Sequence, residues 1–437
     1  MHAGDAVRGR LPSPFGELMS LSKASLVLAL GLIGQSVVSP ALVSQAQAQP
    51  PTTASAAANA NCRNTGSFDV WLDGFRKDAI TQGISRATVS AALDGITLDP
   101  GVIARDRKQG FFAQSFLAFS DKLIGGNRIK NGQARLKQHR ELFAKVEKDY
   151  GVPGPVIAGL WALESDYGAS MGKLPVLRAL ATLAYDCRRG EKFRAELMDT
   201  LRIIDRGDLL PEEMIGSWAG ELGQTQFLAS HYLKHAVDYD GDGRRNMISS
   251  VPDVIASTAN FLKHLGWRAG EPWLQEVRVP SELPWDQADL TVKHPRSKWA
   301  AWGVTLPDGR PLPNDGLQAS LLLPMGRRGP AFLAYQNFEV YLQWNSSLIY
   351  CITVSYLGTR LAGEPPIHRG AEDIPVLSLE ETKELQRLLV RRGYDVGEVD
   401  GKLGAASRAS VKAMQMKLKL PADSYPTPEL LERLRGE

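Results

Sequence analysis

The sequence predicts a mainly α (α+β) protein: an α-rich domain, a small β-rich insertion within it, and a C-terminal three-helix module. Three observations point there. Apolar residues recur at helical spacing through most of 67–265. Between about Glu271 and Tyr341 the texture changes to short β-leaning runs broken by prolines and glycines. Beyond a Pro/Gly-rich stretch, the tail alternates amphipathic runs with glycine-containing turns. At 437 residues, 43% hydrophobic and 23% charged, the chain has an ordinary globular composition and enough length for two or three domains. A net charge of +3 over 51 basic and 48 acidic side chains carries no nucleic-acid footprint, although mild basicity suits an anionic polymer.

In chain order, Lys23 precedes the apolar run Ala24 to Gly34, and Ser39-Pro40 and Ala46-Gln47-Ala48 follow. A basic start, a short apolar core and an Ala-x-Ala site read as a secretory signal over 1–48, with Met19 an alternative start. The run is shorter than the about 20 residues that span a bilayer. Cys62 follows Asn59-Ala60-Asn61 and not a lipobox, so no stable membrane anchor is expected and the protein should be periplasmic. Residues 49–61 are low-complexity, and 49–66 should be a disordered lead-in. Cys62, Cys187 and Cys351 permit one disulfide, and the spacing does not choose among the three pairings.

Ser67 is placed to cap a helix whose Phe68, Trp71, Leu72, Phe75 and Ala79 share one face. Further helical stretches are 86–93, 110–123, 133–150, 155–165, 191–205 and 251–265. Inside the insertion, about 271–341, the runs 274–279 and 317–323 read as strands. Asn345 should start a helix with Ile349, Ile352, Leu357 and Leu361 apolar, closing the unit 67–362. Residues 363–376 read as a linker that lets 377–437 fold separately, with helices over 379–391, over 407–418 and after Pro426.

Glu164 ends the uncharged run Val156-Ile-Ala-Gly-Leu-Trp-Ala-Leu163 and opens the polar string Glu164-Ser-Asp-Tyr-Gly168. A carboxyl at the mouth of an apolar pocket is desolvated, which raises its pKa and lets it donate a proton near neutral pH, as a glycosidic general acid must. Glycoside hydrolysis normally uses two carboxylates. Asp166, two residues along a helix, points away from Glu164, so no second one is evident. Asp238-Tyr-Asp240-Gly-Asp242-Gly243-Arg244 follows the first half of a calcium loop, with carboxylates at the first, third and fifth places and the Arg244 carbonyl at the seventh. Its twelfth place is Ser249, where an EF-hand has glutamate. Neither a Ser/His/Asp triad nor a phosphate-binding glycine loop is supported.

Four ordered motifs carry a resemblance over roughly Phe68 to Gly363: Trp161-Ala-Leu-Glu-Ser-Asp-Tyr-Gly168, Ser217-Trp-Ala-Gly-Glu-Leu-Gly-Gln-Thr-Gln-Phe227, Ala236-Val-Asp-Tyr-Asp-Gly-Asp-Gly243 and Asn345-Ser-Ser-Leu-Ile-Tyr350. This stretch resembles the membrane-bound lytic transglycosylase B family, the family-3 lytic murein transglycosylases. The resemblance implies a lysozyme-like α-rich catalytic domain that cleaves the MurNAc-GlcNAc bond of peptidoglycan glycan strands without consuming water. Glu164 would protonate the bond and then, as carboxylate, take the proton of the muramoyl C6 hydroxyl, leaving a 1,6-anhydro end. It further implies that Ser217, Gln226, Asn345 and Tyr350 line the sugar cleft and that Asp253 completes a structural calcium site, with no cofactor needed for chemistry. Tyr167 and Phe227 are open between stacking on sugars and packing inside. The tail, through Leu385-Gln386-Arg-Leu-Leu389, Gly393-Tyr394 and Asp400 to Gly404, resembles the peptidoglycan-binding domain 1 family, with Ala405 and Ser407 where Pro and Thr are usual. The alternatives are a lysozyme-type muramidase and a non-catalytic wall-binding protein.

Overall fold

The computed structural model describes residue 64 and residues 66–107 and 114–436. The expected signal, nearly all of the lead-in, Cys62 and the start of the helix expected at 110–123 lie outside the described residues. Among the described residues helices dominate, and the six strands β1 (Leu174–Pro175), β2 (Ile215–Gly216), β3 (Leu274–Val277), β4 (His294–Pro295), β5 (Gln318–Leu322) and β6 (Ala331–Ala334) are short.

The helical unit is built around Gly154–Ser165, in which Val156 to Ala162 are all buried. A helix apolar on every side must be enclosed by others. Its main partner is Leu348–Leu361, which is buried from Cys351 to Gly358. The two approach so closely that a Cβ added at Gly159 would lie 3.3 Å from the Val354 carbonyl oxygen and 3.4 Å from the Gly358 nitrogen. Only glycine fits that contact without displacing a backbone. The helices run antiparallel, so the C-terminal end of the first meets the N-terminal end of the second.

Several helices match the sequence pattern closely. Ser67 Oγ accepts from the Val70 N–H and opens Phe68–Thr81, which buries Phe68, Leu72, Phe75 and Ala79. The single helix expected over 133–150 is two, Arg128–Gln138 and Arg140–Tyr150, divided at His139. No clear sequence signal marks Pro100–Arg107, Val176–Tyr185 or Ala229–His235, nor Arg296–Ala301 within the expected β-rich insertion.

The insertion is a four-stranded antiparallel sheet in the order β3-β6-β5-β4, with its own core around Trp299, Leu321, Leu333 and Tyr335. Its strand content ends at Ala334. The last residues of the expected insertion instead enter the helix Gln336–Trp344. Asn345 does not start the next helix: it is the C-cap of Gln336–Trp344, and Ser347 caps Leu348–Leu361. The Asn345 Oδ1 accepts from the Ser347 N–H at 2.8 Å, so the side chain closes the turn between the helices.

The tail forms Leu379–Arg391, Ala405–Lys417 and Pro428–Gly436 around Leu385, Leu389, Val411, Met414 and Leu430. It is not detached. Arg408 donates to the Leu323 carbonyl at 2.6 Å, Lys412 pairs with Asp289 at 2.9 Å, and Asp423 accepts from the Arg327 N–H at 3.0 Å. The stretch expected to be a free linker is also tied down. Arg369 makes a bidentate pair with Asp121, and the Ala371 N–H reaches the Arg328 carbonyl at 2.9 Å. Specific polar contacts thus override the Pro/Gly-rich composition that reads as a linker. Cys187 is disulfide-bonded, whereas Cys351 is a free, buried thiol.

The packing at Gly159 yields a direct test. Gly159→Leu should destabilise the protein by about 1–3 kcal/mol through overpacking and lower the melting temperature. It should also cost activity, because it pushes the two helix ends apart. An unchanged melting curve would show that the contact is looser than described.

Candidate active site

Glu164 stands in the last turn of Gly154–Ser165, whose backbone then turns sharply. Asp166 and Tyr167 have φ of 51° and 60°, a conformation that costs non-glycine residues energy and persists only when neighbours enforce it. Those neighbours are identifiable. Ser165 Oγ accepts from the Gly168 N–H at 2.8 Å and donates to the Gln224 carbonyl at 2.5 Å, and Tyr167 donates to the Arg128 carbonyl at 2.8 Å. Gly168 has φ of 90°, and a Cβ there would meet Gln224 Oε1 at 2.5 Å. Asp166 faces Arg128 at 3.5 Å.

The glutamate oxygen Oε1 accepts two hydrogen bonds, from Trp344 Nε1 at 2.9 Å and from the Tyr350 hydroxyl at 2.5 Å. Both donors come from the C-terminal part of the helical unit, one ending Gln336–Trp344 and the other in the first turn of Leu348–Leu361. Desolvation dominates the electrostatics and pushes the Glu164 pKa up to about 7. The two hydrogen bonds oppose that rise, and the charge of Glu221 adds to it. Because Oε1 is occupied twice, a proton on Glu164 belongs on Oε2, which has no protein hydrogen-bond partner among the described residues.

Ser217 and Gln226 make hydrogen bonds within the protein. Ser217 Oγ donates to Glu221 Oε2 at 2.9 Å and accepts from the Ala219 and Glu221 N–H groups at 3.1 and 3.2 Å. One hydroxyl has one proton and two lone pairs, so its capacity is filled. Gln226, at φ 51°, donates through Nε2 to the Gly223 and Met171 carbonyls at 2.8 and 3.2 Å. Tyr167 and Phe227 are buried and pack inside: Tyr167 sits edge-on to Trp161, and Phe227 edge-on to Trp344 and Phe261. Cys351 donates to the Tyr341 and Asn345 carbonyls at 3.1 and 2.9 Å, and burial raises its thiol pKa to about 12, which makes it inert.

Sequence reasoning missed two groups beside Glu164. Trp344 precedes Asn345 but reads as one more apolar residue at the end of an amphipathic helix. Glu221 lies inside the Ser217 to Phe227 motif, yet its 57-residue distance from Glu164 hides their proximity until the chain is folded.

In the acidic loop, carboxylate oxygens of Asp238, Asp240 and Asp253 lie within 4.8 Å of one another. Asp253 is buried, accepts from the Tyr239 and Asn246 N–H groups at 2.7 Å each, and has its pKa raised by burial and by the Asp240 and Asp238 charges. A set of hard oxygens held together against their repulsion fits a divalent cation such as calcium. Asp242 lies outside this trio; its Oδ1 accepts from the Arg244 N–H at 2.8 Å, as Asp238 and Asp240 accept from N–H groups of the same loop. The Arg244 side chain turns away to the Asp208 carbonyl at 3.1 Å and to Glu213 at 2.5 Å.

Residues 67–359 match the transglycosylase SLT domain family, and residues 378–434 match the peptidoglycan binding domain family. Over 249 residues the chain is 32% identical to membrane-bound lytic murein transglycosylase B of Escherichia coli (strain K12), covering 57% of this chain and 68% of that protein. SltB3 from Pseudomonas aeruginosa, solved in complex with NAG-anhNAM-pentapeptide, is 44% identical with a TM-score of 0.79, over 85% of this chain and 100% of that one. The Escherichia coli lytic transglycosylase Slt35 in complex with calcium is 31% identical with a TM-score of 0.57, over 67% of this chain and 92% of that one. The two family matches span the motifs from Trp161 to Tyr350 and the tail. The chain therefore belongs to the transglycosylase SLT domain family and is a lytic murein transglycosylase with a C-terminal peptidoglycan binding domain.

Proposed function

We propose that Glu164 alone carries out both proton transfers of this reaction. The observation that carries the reading is a desolvated carboxyl with a pKa of about 7, one oxygen held by two donors and the other unpaired. In the first step the Oε2 proton moves to the glycosidic oxygen between N-acetylmuramate and N-acetylglucosamine, and the C1–O bond breaks. In the second, the Glu164 carboxylate takes the proton of the muramoyl C6 hydroxyl, whose oxygen closes on C1 to give the 1,6-anhydro ring. The glutamic acid is regenerated and no water is consumed. Tyr350 and Trp344 hold the carboxyl in one orientation through both steps. Ser217, Gln226 and Asn345 serve the glycan by holding the walls of the cleft in shape, a reading supported by their internal hydrogen bonds.

The substrate is peptidoglycan glycan strands, in line with the NAG-anhNAM-pentapeptide bound to SltB3. The organisation that goes with this reading is an export signal over 1–48, a lead-in over 49–66, a catalytic unit over 67–362, a tethering stretch over 363–376 and a wall-binding module over 377–437. A periplasmic location is supported by the signal pattern, and no helix among the described residues is long and apolar enough to cross a membrane. Asp238, Asp240 and Asp253 would hold a structural calcium ion, whose role is to neutralise their mutual repulsion.

Mass spectrometry of digested wall tests the reaction: anhydro ends are expected, and reducing ends would indicate a muramidase. Glu164→Gln keeps the shape of the side chain but has no acidic proton, so it should bind glycan while losing at least about 100-fold in turnover, the lower range of general acid catalysis. The wild-type rate should fall as pH rises through about 7, because the acid must be protonated to donate.

Calcium added to chelator-treated protein should raise the melting temperature, and Asp240→Ala should abolish the rise. An unchanged melting curve in millimolar calcium would remove the site.

Truncation after Gly363 should leave turnover of short soluble glycan intact and remove co-sedimentation with insoluble sacculi, since the module acts by raising local concentration. Equal co-sedimentation of both forms would make the tail a spacer.

A further inference from the structure

We propose that Gln224 is a positioning residue of this reaction: a buried glutamine that grips the chain on both sides of Glu164 and fastens the catalytic turn to the loop 246–248. The proposal rests on the reading of Glu164 as the proton-transferring group.

All four polar atoms of Gln224 are engaged. Towards the catalytic helix, its Oε1 accepts from the Trp161 indole N–H at 2.7 Å and its backbone carbonyl accepts from Ser165 Oγ at 2.5 Å. Towards the loop, its backbone N–H donates to the Met247 carbonyl and its Nε2 to the Ile248 carbonyl, both at 2.9 Å. A carboxamide suits this place, because the indole has only a proton to give and the carbonyl only lone pairs, and one planar group serves both. Gln224 is 8% exposed, so water does not replace a bond that is lost there.

The grip brackets the glutamate. Trp161 lies about one helical turn before Glu164, Ser165 follows it directly, and Gly168 closes the polar string. Gly168 is pressed against the same amide, since a Cβ there would come within 2.5 Å of Gln224 Oε1. Ser165 Oγ also accepts from the Gly168 N–H at 2.8 Å, which ties the far side of the turn to the near side. Between these points Asp166 and Tyr167 keep positive φ, a conformation that relaxes unless its surroundings hold it. Glu164 is the last residue but one of Gly154–Ser165, where a helix frays when its end has no partners. With both flanks pinned, the Glu164 side chain leaves the backbone in the direction that meets Trp344 and Tyr350.

The other end of the clamp is anchored in turn. The Met247 N–H donates to the Tyr232 hydroxyl at 3.2 Å, Asn246 Oδ1 accepts from the Ile248 and Ser249 N–H groups at 3.0 Å each, and the Asn246 N–H donates to Asp253 at 2.7 Å. Gly223, just before Gln224, has φ of 73°, and a Cβ there would lie 2.8 Å from the Met247 carbonyl oxygen. The two loops therefore meet backbone to backbone, and the amide of Gln224 spans from that contact to the catalytic turn.

The test separates kcat from KM in Gln224→Met, which fills a similar space and makes neither side-chain bond. Measured well below its melting temperature and per folded molecule, kcat on short soluble glycan should fall by roughly 10- to 100-fold, the cost of a small misplacement of a reacting group, while KM stays within about two-fold of wild type. Wild-type kcat in the folded variant, or a raised KM with kcat intact, would overturn the proposal even with Glu164→Gln inactive. A merely structural role predicts the first of these outcomes together with a lower melting temperature. Should Gln224→Met not fold, Ser165→Ala decides: it should show the same loss of kcat at unchanged KM, and full kcat would overturn the clamp. Where both variants fold, their combination should cost little more than either alone, because the two residues act as one unit; fully additive losses would count against it. Turnover by Glu164→Gln would overturn both readings.

Discussion

The close antiparallel contact between Gly154–Ser165 and Leu348–Leu361 is the constraint on which the site depends. Glycine at 159 lets two backbones meet at the heart of the helical unit, with 3.3 Å between a would-be Cβ and the Val354 carbonyl. That approach sets the axial position of one helix against the other, and with it the meeting of Glu164 and Tyr350, five residues from Gly159 at one end and four from Val354 at the other. The donor and acceptor are 186 residues apart in sequence. Interiors packed at crystal-like density transmit such a constraint without slack.

The apolar surroundings that stabilise the fold also create the chemistry. Burying Val156 to Ala162 removes water from the end of the same helix, and the carboxyl there responds by holding its proton to about neutral pH. Trp344 and Tyr350 moderate this effect by donating to Oε1, which keeps Glu164 from becoming too weak an acid. Glu221 acts in the opposite sense. The balance among one desolvation and three neighbours is a property of the assembled site and of no single motif.

The sheet insertion and the tail form a second level of organisation. The sheet has a core of its own, and the tail docks through Arg408, Lys412 and Asp423 on Leu323, Asp289 and Arg327, which lie in segments flanking its strands. Burial depresses the Arg408 pKa, yet Asp423, Tyr425 and Asp289 around it favour the charged guanidinium. Partners of this kind make docking directional, since a buried cation without acceptors would be strongly destabilising. The wall-binding module is consequently held at a defined place on the catalytic unit.

By itself, the sequence determined the secondary structure where apolar period and capping agree, as in Phe68–Thr81 behind Ser67, Gly154–Ser165 and Leu379–Arg391. It also marked Glu164, because a carboxyl closing an uncharged apolar run is a local anomaly that needs no fold to notice. The acidic loop was legible for the same reason, and Asp238, Asp240 and Asp253 come together in it. What it left undecided was anything set by partners remote in the chain. Asn345 looked like a helix start, but only the packing of two helices shows that Ser347 is the cap. The stretch 363–376 looked like a free linker because composition records flexibility and not the ion pairs, such as Arg369 with Asp121, that cancel it. Trp344 and Glu221 became visible beside Glu164 only in the tertiary structure, since periodicity and capping are local properties and desolvation and like-charge repulsion depend on distance in space.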